Sequence, residues 1–277
     1  LVFNSGYHAN IGILPALAHS GDLILSDKLN HASIIDGMRL CDAEFRRYPH
    51  LDLGQLEKQL AARRAAFRRV FLVTESVFSM DGDAADLARL VELKKKYDCI
   101  LVVDEAHSVG VRGPQGTGLA AELGVADEVD VLIGTFGKAF GSTGAYAIMA
   151  PEVKQFLVNH MRPFIFTTGL PPVILNWSCF VLEHCAGMDA KRAKLRRMGQ
   201  RLRELFGDAT TPGDSQIVPC RVGEDADAVA AAERFRNHGI LVFAIRPPTV
   251  PAHTARLRFS LSAALEESAI EQIREAL

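Results

Sequence analysis

The fold is decided by the stretch ILVVDEAH, residues Ile100–His107. Four apolar residues, three of them β-branched, lead directly into an acid. A strand that is apolar at every position is covered on both faces, which is typical of a parallel sheet. Similar runs recur along the chain with segments of helical period between them, and this alternation predicts an α/β fold. The predicted strands are Leu23–Ser26, Val70–Thr74, Cys99–Val103, Val131–Gly134 and Ala145–Met149, and the predicted amphipathic helices are Leu53–Arg64 and Leu87–Tyr97.

The last third of the chain has a different pattern, which begins after the paired prolines Pro171–Pro172. A long helical segment continues through the basic run Lys191–Arg203, which is typical of a solvated helix face. The elements predicted after it are a strand at 216–222, a helix at 226–238, strands at 240–244 and 256–261, and a closing helix. We therefore predict a large domain over 1–170 and, over 171–277, an interdomain helix with a smaller C-terminal α+β domain.

The composition limits the function before any motif is considered. With 277 residues, 48% of them hydrophobic, the chain can bury a sizeable core, which excludes a disordered protein. Its 31 basic and 33 acidic residues nearly cancel, so no net field draws it to nucleic acid or to an anionic membrane. A small-molecule partner is therefore favoured.

The cysteines and the chain ends bear on the cellular compartment. Five cysteines are scattered without a Cys-x-x-Cys pair, so we expect reduced core thiols in a cytoplasmic protein. No apolar run approaches the roughly 18 residues of a membrane helix, and we expect no secretion leader. The sequence begins at Leu1, within the pattern of a strand, and we expect it to be a fragment of a longer protein.

Asp104 and Lys138 are the candidates for chemistry. Asp104 ends a central strand, where open α/β sheets bind ligands, although an acid there can equally cap the next helix. Lys138 follows the strand Val131–Gly134 and lies among glycines, so we expect it in a turn. It is either a surface residue or an amine whose pKa partial burial lowers, able to form a Schiff base with a carbonyl.

A pyridoxal phosphate site would use both residues. It needs an acid for the protonated pyridine nitrogen and a partner for the phosphate. Asp104 can supply the acid, and Gly6–Tyr7, at the predicted start of a helix, can supply N–H groups to an anion. A rival interpretation, nucleotide hydrolysis with a phosphate loop at Gly134–Lys138, fails because Ala139 stands where that loop needs Ser or Thr.

Five segments in order and spacing resemble the α-oxoamine synthases. They are Asn4–Asn10, Leu29–Ser33, Val77–Gly82, Asp104–His107 and Thr135–Lys138. The members of this family are fold-type I pyridoxal-phosphate enzymes, C-acyltransferases that condense an amino acid with an acyl thioester and release carbon dioxide. The resemblance covers essentially the whole chain and implies a mostly parallel central sheet flanked by helices, plus a small C-terminal α+β domain. It also implies pyridoxal 5'-phosphate as the cofactor, and no metal.

The resemblance assigns a role to each matching residue. Lys138 would hold the cofactor and move the α-proton, and Asp104 would keep the pyridine nitrogen protonated. His31 would stack on the ring, although it can also cap the helix that follows. The residues implied near the phosphate are Gly6, Tyr7 and Thr135, and those near the cofactor's phenolic oxygen or the reacting carbonyl are His107 and Ser79.

The resemblance extends to the substrates. Arg258 would grip the amino-acid carboxylate, with Arg256 on the same strand face as its competitor. The segment Ala244–Pro251 resembles the family member that works in biotin synthesis and joins L-alanine to a pimeloyl thioester of coenzyme A or a carrier protein; Arg246 and Thr249 would line the acyl path. Glycine C-acetyltransferase, 5-aminolevulinate synthase and serine palmitoyltransferase types stay alternatives, as does a non-catalytic scaffold subunit.

The resemblance also implies an oligomer. The segment Phe166–Gly169, with Thr167 and Thr168, is similar to the family segment that reaches the cofactor phosphate of a neighbouring subunit. We therefore expect a homodimer with shared active sites. Family members carry a further segment ahead of the Gly6–Tyr7 motif, which is consistent with the expectation that this chain is a fragment.

Overall fold

Residues 1–277 are described by a computed structural model and form two compact units. The first comprises Leu1–Val77 and Ala85–Met188, and the second comprises Phe78–Ala84 and Asp189–Leu277. Compact units need not be independent folding domains, so the predicted division after residue 170 stays a prediction.

A seven-stranded sheet lies at the centre of the first unit. Its strands are β1 (Val2–Phe3), β2 (Leu23–Asp27), β3 (Glu44–Tyr48), β4 (Val70–Glu75), β5 (Ile100–Asp104), β6 (Val131–Thr135) and β7 (Ala145–Met149). They lie in the order β1-β7-β6-β5-β4-β2-β3, and the five strands from β6 to β3 are parallel. The other two pair antiparallel, β7 with β6 and β1 with β7. The predicted mostly parallel sheet is confirmed.

The first unit has eight α-helices around this sheet. They are α1 (Gly6–Leu17), α2 (Ala32–Arg39), α3 (Leu53–Arg63), α4 (Leu87–Tyr97), α5 (Leu119–Glu122), α6 (Pro151–His160), α7 (Arg162–Ile165) and α8 (Pro172–Ala186). The apolar side chains of α1, including Ile13 and Leu14, join one buried cluster with Phe71 and Val73 of the sheet. This packing fixes where the start of α1 lies at the carboxyl end of the parallel strands.

The edge strand β3 was not predicted. Its sequence, EFRRY, has no apolar run, and only Tyr48 is buried. A strand at a sheet edge needs no hydrophobic outer face, so the pattern that identifies central strands is missing here.

The second unit contains a three-stranded antiparallel sheet in the order β8-β10-β9. Its elements are α9 (Asp189–Phe206), β8 (Ile217–Gly223), α10 (Asp225–Asn237), β9 (Phe243–Ile245), β10 (Ala255–Ser260) and α11 (Ala269–Ala276). The predicted C-terminal α+β pattern is present, although the strand expected at 240–244 begins later, at Phe243.

Three details differ from the sequence analysis. The long helix predicted through the basic run is two helices, α8 and α9, separated at Gly187–Met188. Most of the basic run is at least partly exposed, but Arg203 is buried and donates to the carbonyl oxygens of Ser215 and Ile217 at 2.8 and 2.7 Å. All five cysteines are free thiols, yet Cys179 is exposed and not part of the core.

The length and composition of the helices show whether any of them could cross a membrane. No helix in the chain combines the length and the apolar character that crossing a bilayer requires.

Candidate active site

Four polar residues end adjacent parallel strands at the same edge of the sheet. They are Asp27 on β2, Glu75 on β4, Asp104 on β5 and Thr135 on β6, and all four are buried. Acidic side chains are seldom buried without a purpose, and ligands of open α/β sheets bind at this edge. We therefore take the carboxyl edge of the sheet as the candidate active site.

Asp104 is held by two donors. Asn10 of α1 donates from Nδ2 to Oδ2 of Asp104 at 2.8 Å, and the backbone N–H of Ala106 donates to Oδ1 at 2.9 Å. Hydrogen bonds to a carboxylate favour its charged form. The first of these bonds joins residues 94 positions apart, and the same Asn10 nitrogen donates to Ser33 Oγ at 3.0 Å. Asp104 is thus a fixed anion and not simply a local helix cap.

His31 begins helix α2 beside this anion. Its Nδ1 accepts from the backbone N–H of Ser33 at 3.2 Å, so the capping role considered from sequence is real. Capping uses a nitrogen in the ring plane and leaves the ring faces uncommitted. Partial burial lowers the pKa of His31 and nearby Lys138 adds to this, while Asp104 opposes it. A neutral imidazole at pH 7 follows from the lowered pKa.

Lys138 lies in the bend between β6 and β7, as predicted. The left-handed backbone at Gly141 and Gly144 forms this connection, with φ of +55° and +107°. Lys138 is exposed in this chain, which is one of the two positions that the sequence left open for it. Its charge nevertheless acts on both His31 and Glu75. The lysine and the acids therefore meet at one edge of the sheet.

The residues expected near a phosphate also lie together. Ser5 caps α1 by accepting from the backbone N–H of His8 at 3.2 Å, and Gly6 and Tyr7 form the first turn, whose N–H groups have no partner within a helix. A Cβ atom on Gly6 would lie 4.0 Å from Cβ of Thr135, which places this helix start against the end of β6. The side chain of Tyr7 is directed to α2, where its hydroxyl donates to Asp36 at 2.8 Å.

Thr167 and Thr168 are hydrogen-bonded to Asn4, near the start of α1. The Nδ2 group of Asn4 donates to Thr167 Oγ1 at 2.9 Å and to the carbonyl oxygen of Thr168 at 2.8 Å. Asn4 directly precedes the capping Ser5, so these threonines lie beside the start of α1 in their own chain. The remaining first-unit residue, His107, is half-buried three positions after Asp104.

The predicted substrate residues belong to the second unit. Arg256 is buried and forms an ion pair with Asp81. Arg258 is half-buried, and its Nε donates to the carbonyl oxygen of Ser79 at 2.6 Å. Both arginines contact residues 79–81, which confirms that they share one face of β10. Two further residues, Arg246 and Thr249, are exposed on the turn after β9, where the Thr249 N–H donates to the Arg246 carbonyl at 3.0 Å.

Sequence reasoning missed Glu75 and Asn10. Glu75 ends the apolar run of β4 just as Asp104 ends that of β5, so the same signal was available one strand away. Asn10 lies inside a helix and contacts Asp104 only through the tertiary fold, and no local pattern marks it.

Comparison with known proteins places this site in a family. Residues 1–277 match the family described as aminotransferase class I and II. The chain belongs to this family. A relative from Chlorobaculum parvum, named 8-amino-7-oxononanoate synthase, is 57% identical over 275 residues, which are 99% of this chain and 69% of that protein.

Two solved structures share the fold along the whole chain. A variant serine palmitoyltransferase from S. paucimobilis with a bound PLP–myriocin aldimine superposes with a TM-score of 0.92 at 31% identity, covering 100% of this chain and 70% of that one. An 8-amino-7-oxononanoate synthase from Francisella tularensis gives a TM-score of 0.88 at 31% identity, covering 100% and 80%. The predicted α-oxoamine synthase family and fold type I are confirmed.

The sheet edge fits pyridoxal phosphate, the cofactor that the five motifs imply. A buried anion with two donors, Asp104, suits a protonated ring nitrogen, and a neutral imidazole, His31, suits a ring face. The first turn of α1 suits a phosphate group. Thr135 lies beside this turn, and its hydroxyl donates to the carbonyl oxygen of Gly144 at 3.0 Å. Together with the amine of Lys138, the edge has a chemically appropriate partner for each part of the molecule.

Proposed function

We propose that this chain joins L-alanine to a pimeloyl thioester, giving 8-amino-7-oxononanoate, carbon dioxide and a free thiol, the condensation of biotin biosynthesis. The observation that carries the proposal is the meeting of Lys138, His31 and Asp104 at one sheet edge in a chain 57% identical to a relative of that name. The protein is a pyridoxal-phosphate-dependent acyltransferase of the α-oxoamine synthase family.

Pyridoxal phosphate, when bound, supplies the electron sink that stabilises negative charge on the α-carbon of the amino acid. Lys138 holds the cofactor and carries the α-proton on Nζ. Asp104, fixed by Asn10 and Ala106, pairs with the ring nitrogen and keeps it protonated. His31 covers a ring face with a neutral imidazole, which excludes water without adding charge.

Other residues of the first unit bind and orient the cofactor. Gly6 and Tyr7 present backbone N–H groups to the phosphate, and binding through the Thr135 hydroxyl would require it to leave the Gly144 carbonyl oxygen. Thr167 and Thr168 take part in a site shared between two copies of the chain in a homodimer. His107 acts near the phenolic oxygen or the reacting carbonyl, a role that the family resemblance also implies for Ser79.

On the substrate side, the pairing of the arginines favours Arg258 for the carboxylate of alanine. Arg256 is buried and already neutralised by Asp81, so binding a second carboxylate would require that ion pair to break. Arg258 donates to neutral oxygens, those of Ser79 and Ser260, so no carboxylate neutralises its charge in these contacts. Arg246 and Thr249 line the path of the acyl chain.

The pimeloyl assignment is supported by the relative's name and by the Ala244–Pro251 segment. We propose a cytoplasmic homodimer that accepts the pimeloyl group from coenzyme A or from a carrier protein. A non-catalytic scaffold subunit would have no use for the amine of Lys138.

Cofactor binding is tested with Lys138→Ala and a matched surface control, Lys58→Ala. Mixed with pyridoxal phosphate, the native chain and the control are expected to show the visible absorption band of a lysine-bound cofactor, and Lys138→Ala is expected to lack it. A native chain that stays colourless with added cofactor would refute the proposal.

Substrate choice is tested by measuring carbon dioxide release. Alanine, glycine and serine are each combined with pimeloyl, acetyl, succinyl and palmitoyl thioesters, with the pimeloyl group on coenzyme A and on a carrier protein. We expect alanine with pimeloyl to give the highest kcat/KM. A preference for glycine with the acetyl thioester would assign the chain to another member of the family.

A further inference from the structure

Glu75 and Asp104 are two acids side by side in the sheet. They are directly paired in the parallel register of β4 and β5, and both are buried, with 2% and 6% of their surface exposed. Paired residues on neighbouring strands project to the same face, and the strands lie about 4.8 Å apart. Two buried carboxylates on the same face of neighbouring strands cannot both be charged without a cost, so one of them favours the protonated form.

The donors around the two acids are unequal. Asp104 accepts from the side chain of Asn10 and from the Ala106 N–H, whereas the side chain of Glu75 accepts from the backbone N–H of His31, 2.5 Å from Oε1. More donors stabilise the anion better, so the charge belongs to Asp104 and the proton to Glu75.

The other charged groups around Glu75 do not reverse this assignment of the proton to Glu75 and the negative charge to Asp104. Burial, and then the charge of Asp104, raise the pKa of Glu75 to about 8. The His31 N–H and the ammonium of Lys138 pull this pKa down, while Asp27 of β2 pushes it up. The side chain of Asp27 accepts from the N–H groups of Leu29 and Leu51, at 2.8 and 2.9 Å.

We propose that Glu75 is a proton-carrying positioning residue, which holds the backbone of His31 while leaving the negative charge to Asp104. This inference deepens the proposed function and rests on it for the identity of the cofactor. In its protonated form, Glu75 keeps one oxygen for the His31 N–H. It thereby fixes the start of α2, from which the imidazole extends, without competing with Asp104 for the protonated ring nitrogen.

The first test uses the chain without cofactor or substrate. Urea unfolding is measured from pH 5 to pH 9 for the native chain, Glu75→Gln and Glu75→Leu, with the exposed Glu152→Gln as the control. A raised pKa means that the folded state binds more protons than the unfolded state between about pH 4.5 and pH 8. Stability contributed by Glu75 therefore falls as the pH rises through this window.

Both Glu75 variants are expected to lack this fall in stability with rising pH. Between pH 5 and pH 8, the unfolding constant of the native chain should rise relative to that of either variant by on the order of 100-fold. Glu152→Gln should follow the native profile. A ratio that stays constant within threefold would show that Glu75 carries no proton and would overturn the proposal. Either variant alone supplies the comparison if the other does not fold.

The second test separates positioning from simple packing. Equilibrium titration with pyridoxal phosphate should show Glu75→Gln binding within threefold of the native chain, since its amide oxygen still accepts from His31. Glu75→Leu should bind at least tenfold more weakly. Equal losses in both variants, or no loss in Glu75→Leu, would refute the positioning role. Neither test involves alanine or a thioester, so a failed substrate assignment leaves this inference unaffected.

Discussion

Replacing Asn10 by alanine removes the donor that ties α1 to the end of β5. The Nδ2 group bonds Asp104 Oδ2 at 2.8 Å and Ser33 Oγ at 3.0 Å, and Asn10 is only 2% exposed. A hydrogen bond to a charged group contributes about 1.5–3 kcal/mol, and a buried carboxylate left short of a donor adds a desolvation cost of similar size. These contributions overlap, so we expect Asn10→Ala to lower the free energy of unfolding by about 2–4 kcal/mol.

The assay is urea denaturation at pH 7, followed by far-UV circular dichroism. Asn159→Ala is the matched control, because the Nδ2 of Asn159 also donates one hydrogen bond, to Gln155 at 2.9 Å, but from an exposed position. It should change stability by no more than about 0.5 kcal/mol. If Asn10→Ala is as stable as this control, the bond to Asp104 does not hold the site together and the argument for a fixed anion fails.

Two other substitutions test local features of the first unit. In Gly118→Ala the new Cβ would lie 1.9 Å from Oε2 of buried Glu105, at a φ of +110°, so we expect a loss of at least about 2 kcal/mol in urea unfolding. Gly124→Ala, with a φ of +69° and open space around the Cβ, should lose only about 1 kcal/mol; equal losses would show that the contact with Glu105 is unimportant. Burial raises the pKa of Asp22, but hydrogen bonds from two arginine side chains outweigh this and leave that pKa well below its usual range. The stabilisation that ionised Asp22 gives is complete above about pH 4 and is lost as the pH falls below that. Asp22→Asn should therefore lose less stability than the native chain when urea unfolding at pH 3 is compared with that at pH 7. An equal loss in the two proteins would contradict a stabilising role of the ion pairs.

Much of the sheet could be predicted because its central strands are apolar at nearly every position before their carboxyl ends. β4, β5 and β6 were each predicted one residue short at the carboxyl end, since the terminal residue is polar. Those terminal residues, Glu75, Asp104 and Thr135, are the ones that form the site. The hydrophobic pattern therefore locates the strands well but does not include the polar residues at their carboxyl ends, which form the site.

The remaining features of the candidate site depend on contacts between residues far apart in the sequence, which no local pattern contains. Asn10 meets Asp104 across 94 positions of sequence, and Asn4 meets Thr167 across 163. Two separate motifs contain Asp104 and Lys138, the acid and the amine of the site. Neither motif indicates that Glu75 lies beside Asp104, because that relation arises from strand pairing.

The outer strand β3 of the large sheet also bears on how the chain behaves at high concentration. An unpaired strand edge offers its N–H and C=O groups to any other strand, which is the usual route to aggregation through sheet extension. β3 carries exposed Glu44, Arg46 and Arg47, so an approaching strand would have to accommodate their charges. The composition of this edge thus opposes the addition of a further strand.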